Sequence, residues 1–257
     1  MKTKKTSVNQ ITEGVIWKQL LFFFFPIMLG TLFQQLYNTA DAVVVGRFVG
    51  TQALAAVGGS TGQMVNLIVG FFVGLSSGAT VIIARYYGAK NKKELNDTLH
   101  TAAALSIVGS IIITIAGIAL TPFMLKLMNT PKDVIQGSST YLRIYFAGII
   151  FVFIYNVGSA ILRAVGDSTR PLYFLIVCCF INIFLDILLV VGFDMGVAGA
   201  ALATVISQAA SAIFSDLRPD EIQGYVSSEA KGNSFSQVPF AVHCYYWASC
   251  GYSVCHV

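Results

Sequence analysis

What most constrains this chain is the clumping of its few charges: between the clumps run stretches of about 20 residues or more that carry almost none. A helix needs about 20 apolar residues to cross a bilayer. Six such stretches precede residue 215, at 19–40, 53–84, 99–125, 143–162, 172–191 and 197–214, the second long enough to tilt or to continue out of the membrane. Of the 257 residues 56% are hydrophobic and 11% charged, against about 25% charged in an ordinary soluble domain. The expected fold is therefore an all-α membrane protein, a six-transmembrane-helix bundle with the lipid bilayer as its solvent. The formal charge of +4 is too small and too scattered to imply a nucleic-acid partner.

Residues 1–18 read as an amphipathic N-terminal segment. The start MKTKK followed by LLFFFFPIMLG has the basic front and apolar centre of a signal peptide, but no small-residue cleavage site follows the apolar run, so a retained first helix is expected. Lys and Arg in the connections orient the spans. Ten of them (Lys2, Lys4, Lys5, Lys18, Arg85, Lys90, Lys92, Lys93, Arg163 and Arg170) fall on one side, and four (Arg47, Lys126, Lys132 and Arg143) on the other. The N-terminus is thus expected in the cytoplasm.

Small residues let helix backbones approach where lipid supplies no hydrophobic drive. Gly70, Gly74 and Gly78 recur every fourth residue in the second span, and Gly196, Gly199, Ala200 and Ala203 line the start of the sixth. Packing within the bundle is the expectation for both, ahead of a dimerisation motif. Pro26 lies well inside the first span, where it removes a backbone hydrogen bond and predicts a bend.

Ionisable groups inside a span are functional candidates by default, and two carboxylates fall there, Asp41 and Asp186. Asp41 closes a row with Gln34 and Asn38 on one helix face, with Tyr37 beside it; Asn182 and Asp186 lie one turn apart in the fifth span. Thr204, Gln208 and Ser211 form a third stripe in the sixth span, and Tyr155, Asn156 and Ser159 lie in the fourth. Stripes on separate helices are satisfied together if they converge on one polar interior. Such a carboxylate pair can load and release a proton, or hold a sodium ion among carboxylate, amide and hydroxyl oxygens. The alternative for Asp41 is a plain cap at the end of span one, at water level near Arg47.

Other chemistry is weaker. The motif of intramembrane aspartyl proteases, Gly-x-Gly-Asp, has its nearest counterpart in Ala164-Val165-Gly166-Asp167, which lacks the first glycine and lies in a basic loop, so no enzyme is expected. Cys178 and Cys179 read as small hydrophobes, and His100 as a solvated helix start. His243, Cys244, Cys250, Cys255 and His256 lack the short cysteine pairs of a zinc site, so no metal is expected.

The strings QLYNTADAVVVGRFVGTQALAAVG, GLSSGATVIIARYYGAKNKKEL and LRAVGDSTRP, in that order, resemble the multidrug and toxic compound extrusion (MATE) family of cation-coupled efflux transporters. The resemblance implies that residues 19–214 are one six-helix lobe, the amino-terminal one, of a twelve-helix transporter in the plasma membrane. It implies antiport, in which protons or sodium ions enter while a small amphiphilic or cationic compound leaves, with no cofactor beyond the coupling ion. Asp41 and Asp186 look like the acidic residues of that lobe's cation site, Asn182, Thr204, Tyr37 and Asn156 like its neutral partners, and Pro26 like a proline at which the first helix bends. Gln34, Asn38 and Gln208 are the expected cavity-lining groups.

The family pattern stops after Phe214. The first 214 residues carry 14 basic and 8 acidic residues, the last 43 carry 2 and 4. Residues 215–257 therefore read as an unstructured tail from a shifted frame or a truncation. Alternating access moves one lobe against another, so a lone lobe is expected not to transport unless it pairs with a second six-helix lobe or a second copy. A non-transporting assembly partner and a flippase for a lipid-linked precursor are the alternatives.

Overall fold

The computed structural model describes residues 16–216. Over these the chain is helical: α1 Ile16–Phe48, α2 Thr51–Gly58, α3 Ser60–Gly88, α4 Lys92–Leu127, α5 Ile135–Ala164, α6 Thr169–Asp186 and α7 Gly196–Asp216, with a π-helical turn, Ile187–Gly192, continuing α6. Six segments are long and apolar enough to span a membrane, with α2 and α3 together forming the second. The expectations for residues 1–15 and for the tail beyond 216, including its histidine and cysteine cluster, lie outside the described residues.

Local chemistry sets the helix ends. The Asn91 side chain accepts from the Glu94 backbone N–H at 3.3 Å and opens α4. Asp167 Oδ1 accepts from the N–H groups of Thr169 and Arg170 at 3.0 and 3.1 Å, while its other oxygen pairs with Arg170 Nε at 2.9 Å. That cap explains the GDSTRP string as the start of α6, with Pro171 in the first turn, where a missing N–H costs little. Arg47, Arg85, Lys126 and Arg163 sit in last turns, where the helix dipole favours cations.

Helix α5 is the centre of the bundle and packs on α3, α4 and α7. Its residues Leu142, Phe146, Ile149 and Phe153 are the core, joined by Phe72 of α3, Leu125 of α4 and Ala201 of α7. Helix α1 packs on α6, and a second cluster of Val44, Val45, Ala53, Val190 and Ala200 ties its far end to α2, the π-turn and α7. The outside is apolar: Phe22 is 79% exposed, and Leu67, Phe71, Phe180 and Phe184 are exposed as well. In water such a surface would aggregate; in lipid it is the ordinary exterior of a bundle.

Two boundaries differ from the sequence reading. The first span continues past residue 40 to Phe48, because Ala42 to Val45 extend its apolar run. The second is broken at Gly59, where the backbone (φ −71°, ψ −123°) leaves the helical region. A methyl group there would meet the Ala55 carbonyl oxygen at 2.5 Å. Helix α1 continues through Pro26 without interruption.

The two small-residue stripes part company. Gly199, Ala200 and Ala203 are buried, and a Cβ on Gly199 would lie 3.1 Å from the Leu189 carbonyl, so α7 uses its stripe to pack against the π-turn. Gly70, Gly74 and Gly78 are exposed, with nothing within 4 Å of an added Cβ. The expected packing of that stripe inside the bundle is not what forms, because no other helix of the lobe covers that face of α3. Gly117 is the opposite case, since its Cβ would meet the Phe146 ring at 2.6 Å. Gly117→Val is expected to destabilise the chain in detergent by about 1–3 kcal/mol through overpacking. Gly74→Val should leave the midpoint of thermal unfolding nearly unchanged.

Candidate functional site

Asp41 and Asp186 are both buried, at 6% and 0% exposure, and come from helices that pack on each other. Asp41 does not cap α1. It lies seven residues before the last residue, Phe48, or about 10 Å inside the helix end at 1.5 Å per residue, and Arg47 is exposed. The capping alternative is thereby set aside, for a physical reason: the apolar residues that follow Asp41 carry the helix onward.

The polar groups around the pair come from three elements. Asp186, Thr204 and Asn182 are the polar neighbours of the Asp41 carboxyl. Thr204 Oγ1 lies 3.4 Å from Asp41 Oδ2 and donates at 3.0 Å to the carbonyl of Ala200, one turn back on its own helix. Asp41 Oδ1, both Asp186 oxygens and both polar atoms of the Asn182 amide are buried without a hydrogen-bond partner. Buried groups are normally paired; Asp41, Asp186 and Asn182 neighbour one another as hydrogen-bonding groups, and two carboxylates, acceptors only when ionised, pair with each other through a proton or a cation between them. Two like charges about 4 Å apart repel by about 4 kcal/mol at an effective dielectric of about 20. A proton or a small cation between them removes that repulsion, and oxygen and amide donors suit a hard cation. Among the described residues no group of three or more His, Cys, Asp or Glu could hold a transition metal.

The remaining candidate residues divide. Tyr37 is buried at 7% beside Asp41. Gln208, one turn beyond Thr204 on α7, is buried with Oε1 unpaired. Asn156 is half-buried and donates its amide to the Val152 carbonyl of its own helix at 2.7 Å. Gln34 and Asn38 are exposed, and Asn38 Nδ2 donates to Gln35 Oε1 at 3.3 Å. The row of Gln34, Asn38 and Asp41 therefore splits: the carboxylate turns into the bundle while the two amides stay on the open face of α1.

Sequence reasoning missed two tyrosines. Tyr141 lies beside Asp41, Asp186 and Thr204, and Tyr145 stacks on it with ring centroids 6.3 Å apart and 9° between planes. Their i, i+4 spacing was a visible signal, but a span drawn from residue 143 left Tyr141 outside the membrane. Cys178, read as a small hydrophobe, is 1% exposed, yet its neighbours are the Ser207 and Ser211 hydroxyls.

Residues 26–188 match the MatE family model. The chain is 34% identical over 200 residues to the probable multidrug resistance protein YoeA of Bacillus subtilis (strain 168), covering 76% of this chain and 43% of the relative. It is 35% identical over 203 residues to the probable multidrug resistance protein YpnP of the same strain, covering 79% and 45%. A crystal structure of MATE in the bent conformation superposes with a TM-score of 0.78 at 28% identity, covering 91% of this chain and 52% of the other. The chain thus spans about half the length of the curated relatives it matches.

If the two facing carboxylates carry charge in the resting protein, Asp186→Asn relieves their repulsion while keeping size and shape. Thermal unfolding at neutral pH in sodium-free detergent is expected to shift upward by the equivalent of about 1–4 kcal/mol. An unchanged midpoint would mean that a proton already bridges the pair.

Proposed function

The chain belongs to the MatE family, and on that premise we propose that residues 19–214 are the amino-terminal six-helix lobe of a cation-coupled antiporter exporting amphiphilic or cationic compounds. The observation that carries this reading is the meeting of Asp41 and Asp186 inside the bundle, with unpaired oxygens on both and the Asn182 amide alongside. In this role the carboxylates bind a proton or a sodium ion, Asn182 and Thr204 supply neutral ligands, and Tyr37 and Asn156 flank them. The same reading makes Pro26 the point at which α1 bends, with Gln34, Asn38 and Gln208 lining the way to the substrate.

The open face of the lobe supports an opposite wall. Thr31, Gln34, Gln35 and Asn38 of α1 are exposed, as are Gln63, Asn66 and Ser77 of α3 beside its bare glycines. Amide side chains are poor company for lipid tails. A second six-helix lobe or a second copy of this chain, with water and substrate between, accounts for them. The ten-to-four bias of basic residues supports a cytoplasmic N-terminus, and the family membership supports a plasma-membrane protein. A second reading, a membrane-embedded assembly partner without transport of its own, rests on that same uncovered face.

Asp41→Asn and Asp186→Asn, each introduced into the lobe together with its opposite wall, are expected to lower gradient-driven efflux of a cationic dye by about tenfold or more. Unchanged efflux in both variants would sink the coupling role. Reconstituting this chain by itself and imposing a proton or sodium gradient separates the two readings. The antiporter-lobe reading expects dye flux from paired copies of this chain or, where these form no cavity, its return when a second lobe is supplied. Failure to return would leave the assembly-partner reading in its place.

A further inference from the structure

A charge drawn into a protein interior is normally paired. Arg163, the last residue but one of α5, is half-buried. Its guanidinium neighbours the Tyr155 hydroxyl, two turns earlier on the same helix, as expected of a helical side chain that leans back toward the N-terminus. Among the described residues no carboxylate stands within ion-pair distance of it. The acid nearest in sequence is already taken: Asp167 caps α6 with one oxygen and pairs with Arg170 through the other. The Tyr155 hydroxyl donates to the Pro171 carbonyl at 3.3 Å and carries no charge to offset the guanidinium. The connection from α5 to α6 thus holds two cations against one carboxylate. The helix dipole favours a cation at this end, but it supplies no counter-ion.

The guanidinium also lies where a ligand can reach it. Tyr155 faces α6 through Pro171, and Ala160 faces α3, since Thr80 Oγ1 donates to its carbonyl at 3.4 Å. At about 100° per residue, Arg163 falls about 80° round the helix from Tyr155 and about 60° short of Ala160. It therefore points between α3 and α6, which both touch α5 but do not pack on each other. Helix α5 has 30 residues, which make it about 45 Å long, against about 30 Å of hydrocarbon. Its last turns accordingly stand at the level of lipid headgroups. Arg85, Lys90 and Lys93, on the same face of the membrane, are exposed.

We propose that Arg163 is the binding point for an anionic phospholipid, whose phosphate lies on the guanidinium in the gap between α3 and α6 while its acyl chains stay in the bilayer. A guanidinium offers a planar fork that matches two phosphate oxygens, and basic pockets between spans at headgroup level suit anionic lipids. A soluble phosphate has the same chemistry but no tail to hold it at that depth. The site goes beyond the antiport reading and does not depend on it.

The test is equilibrium binding to the full chain in a neutral detergent. Phosphatidylglycerol with a pyrene-labelled tail is titrated in, and energy transfer from the native tryptophans reports its binding. Arg163→Gln is expected to weaken binding about tenfold. Arg163→Lys keeps the charge without the fork and should weaken it about threefold. Arg85→Gln removes the same charge from an exposed position and should change binding by less than about twofold. If Arg163→Gln does not fold, Arg163→Met, an apolar chain of similar reach, takes its place in the comparison. Equal weakening by the Arg163 and Arg85 variants, or none by either, overturns the site in favour of diffuse attraction to the basic face. Unlabelled phosphatidylglycerol is expected to compete best. Equal competition by phosphatidylcholine or by glycerol phosphate overturns the anionic lipid as occupant. No gradient or dye enters these measurements, so their failure and that of the antiport reading are separate results.

Discussion

Two carboxylates facing each other inside a lipid-embedded bundle set the terms for the rest of this structure. Neither Asp41 nor Asp186 reaches water from its place inside the bundle, at 6% and 0% exposure, so the cost of desolvation falls on the groups packed around them. The helices that bear them must therefore approach closely and bring polar side chains with them. The small residues Gly199, Ala200 and Ala203 let α7 come in against the π-turn that follows Asp186. That approach places Thr204 beside Asp41, across 163 residues of sequence.

Around this centre the lobe has two unlike exteriors. One is aromatic and aliphatic, with Phe22, Phe71, Phe180 and Phe184 exposed, and needs nothing but lipid. The other, on α1 and α3, combines exposed amides with bare glycines and is unsuited to acyl chains. A bundle satisfied on all sides would have no such second face. Its presence is the physical ground for reading the chain as one wall of a larger cavity, and the similarity to transporters of about twice its matched length agrees with that reading.

Helix count and helix type were legible in the chain, because lipid imposes a simple length rule and the charges mark where it stops applying. The ends were less so. Asp41 looked like the limit of the first span because a charge usually marks a boundary; here the apolar residues after it continue the helix to Phe48. Helix α5 was drawn too short for the same reason, since Arg143 was taken as an edge, and Tyr141 was lost with it. The row of Gln34, Asn38 and Asp41 shares one face by spacing, yet only the packing of α6 decides that the carboxylate is covered and the amides are not.

The sequence by itself determined that this chain crosses a membrane, how many of its described segments are long and apolar enough to do so, and which few polar residues were costly enough to require a purpose. Those follow from hydrophobic length and the expense of burying polar atoms, both of which are properties of a single segment. Only the tertiary structure decided which of those residues meet. It chose between two stripes of small residues alike in spacing, burying one and leaving the other bare, and it turned Cys178 from a space-filler into a neighbour of hydroxyls. The reason is geometric: a segment's sequence records what each face of a helix carries, and the arrangement of the other helices records what that face meets.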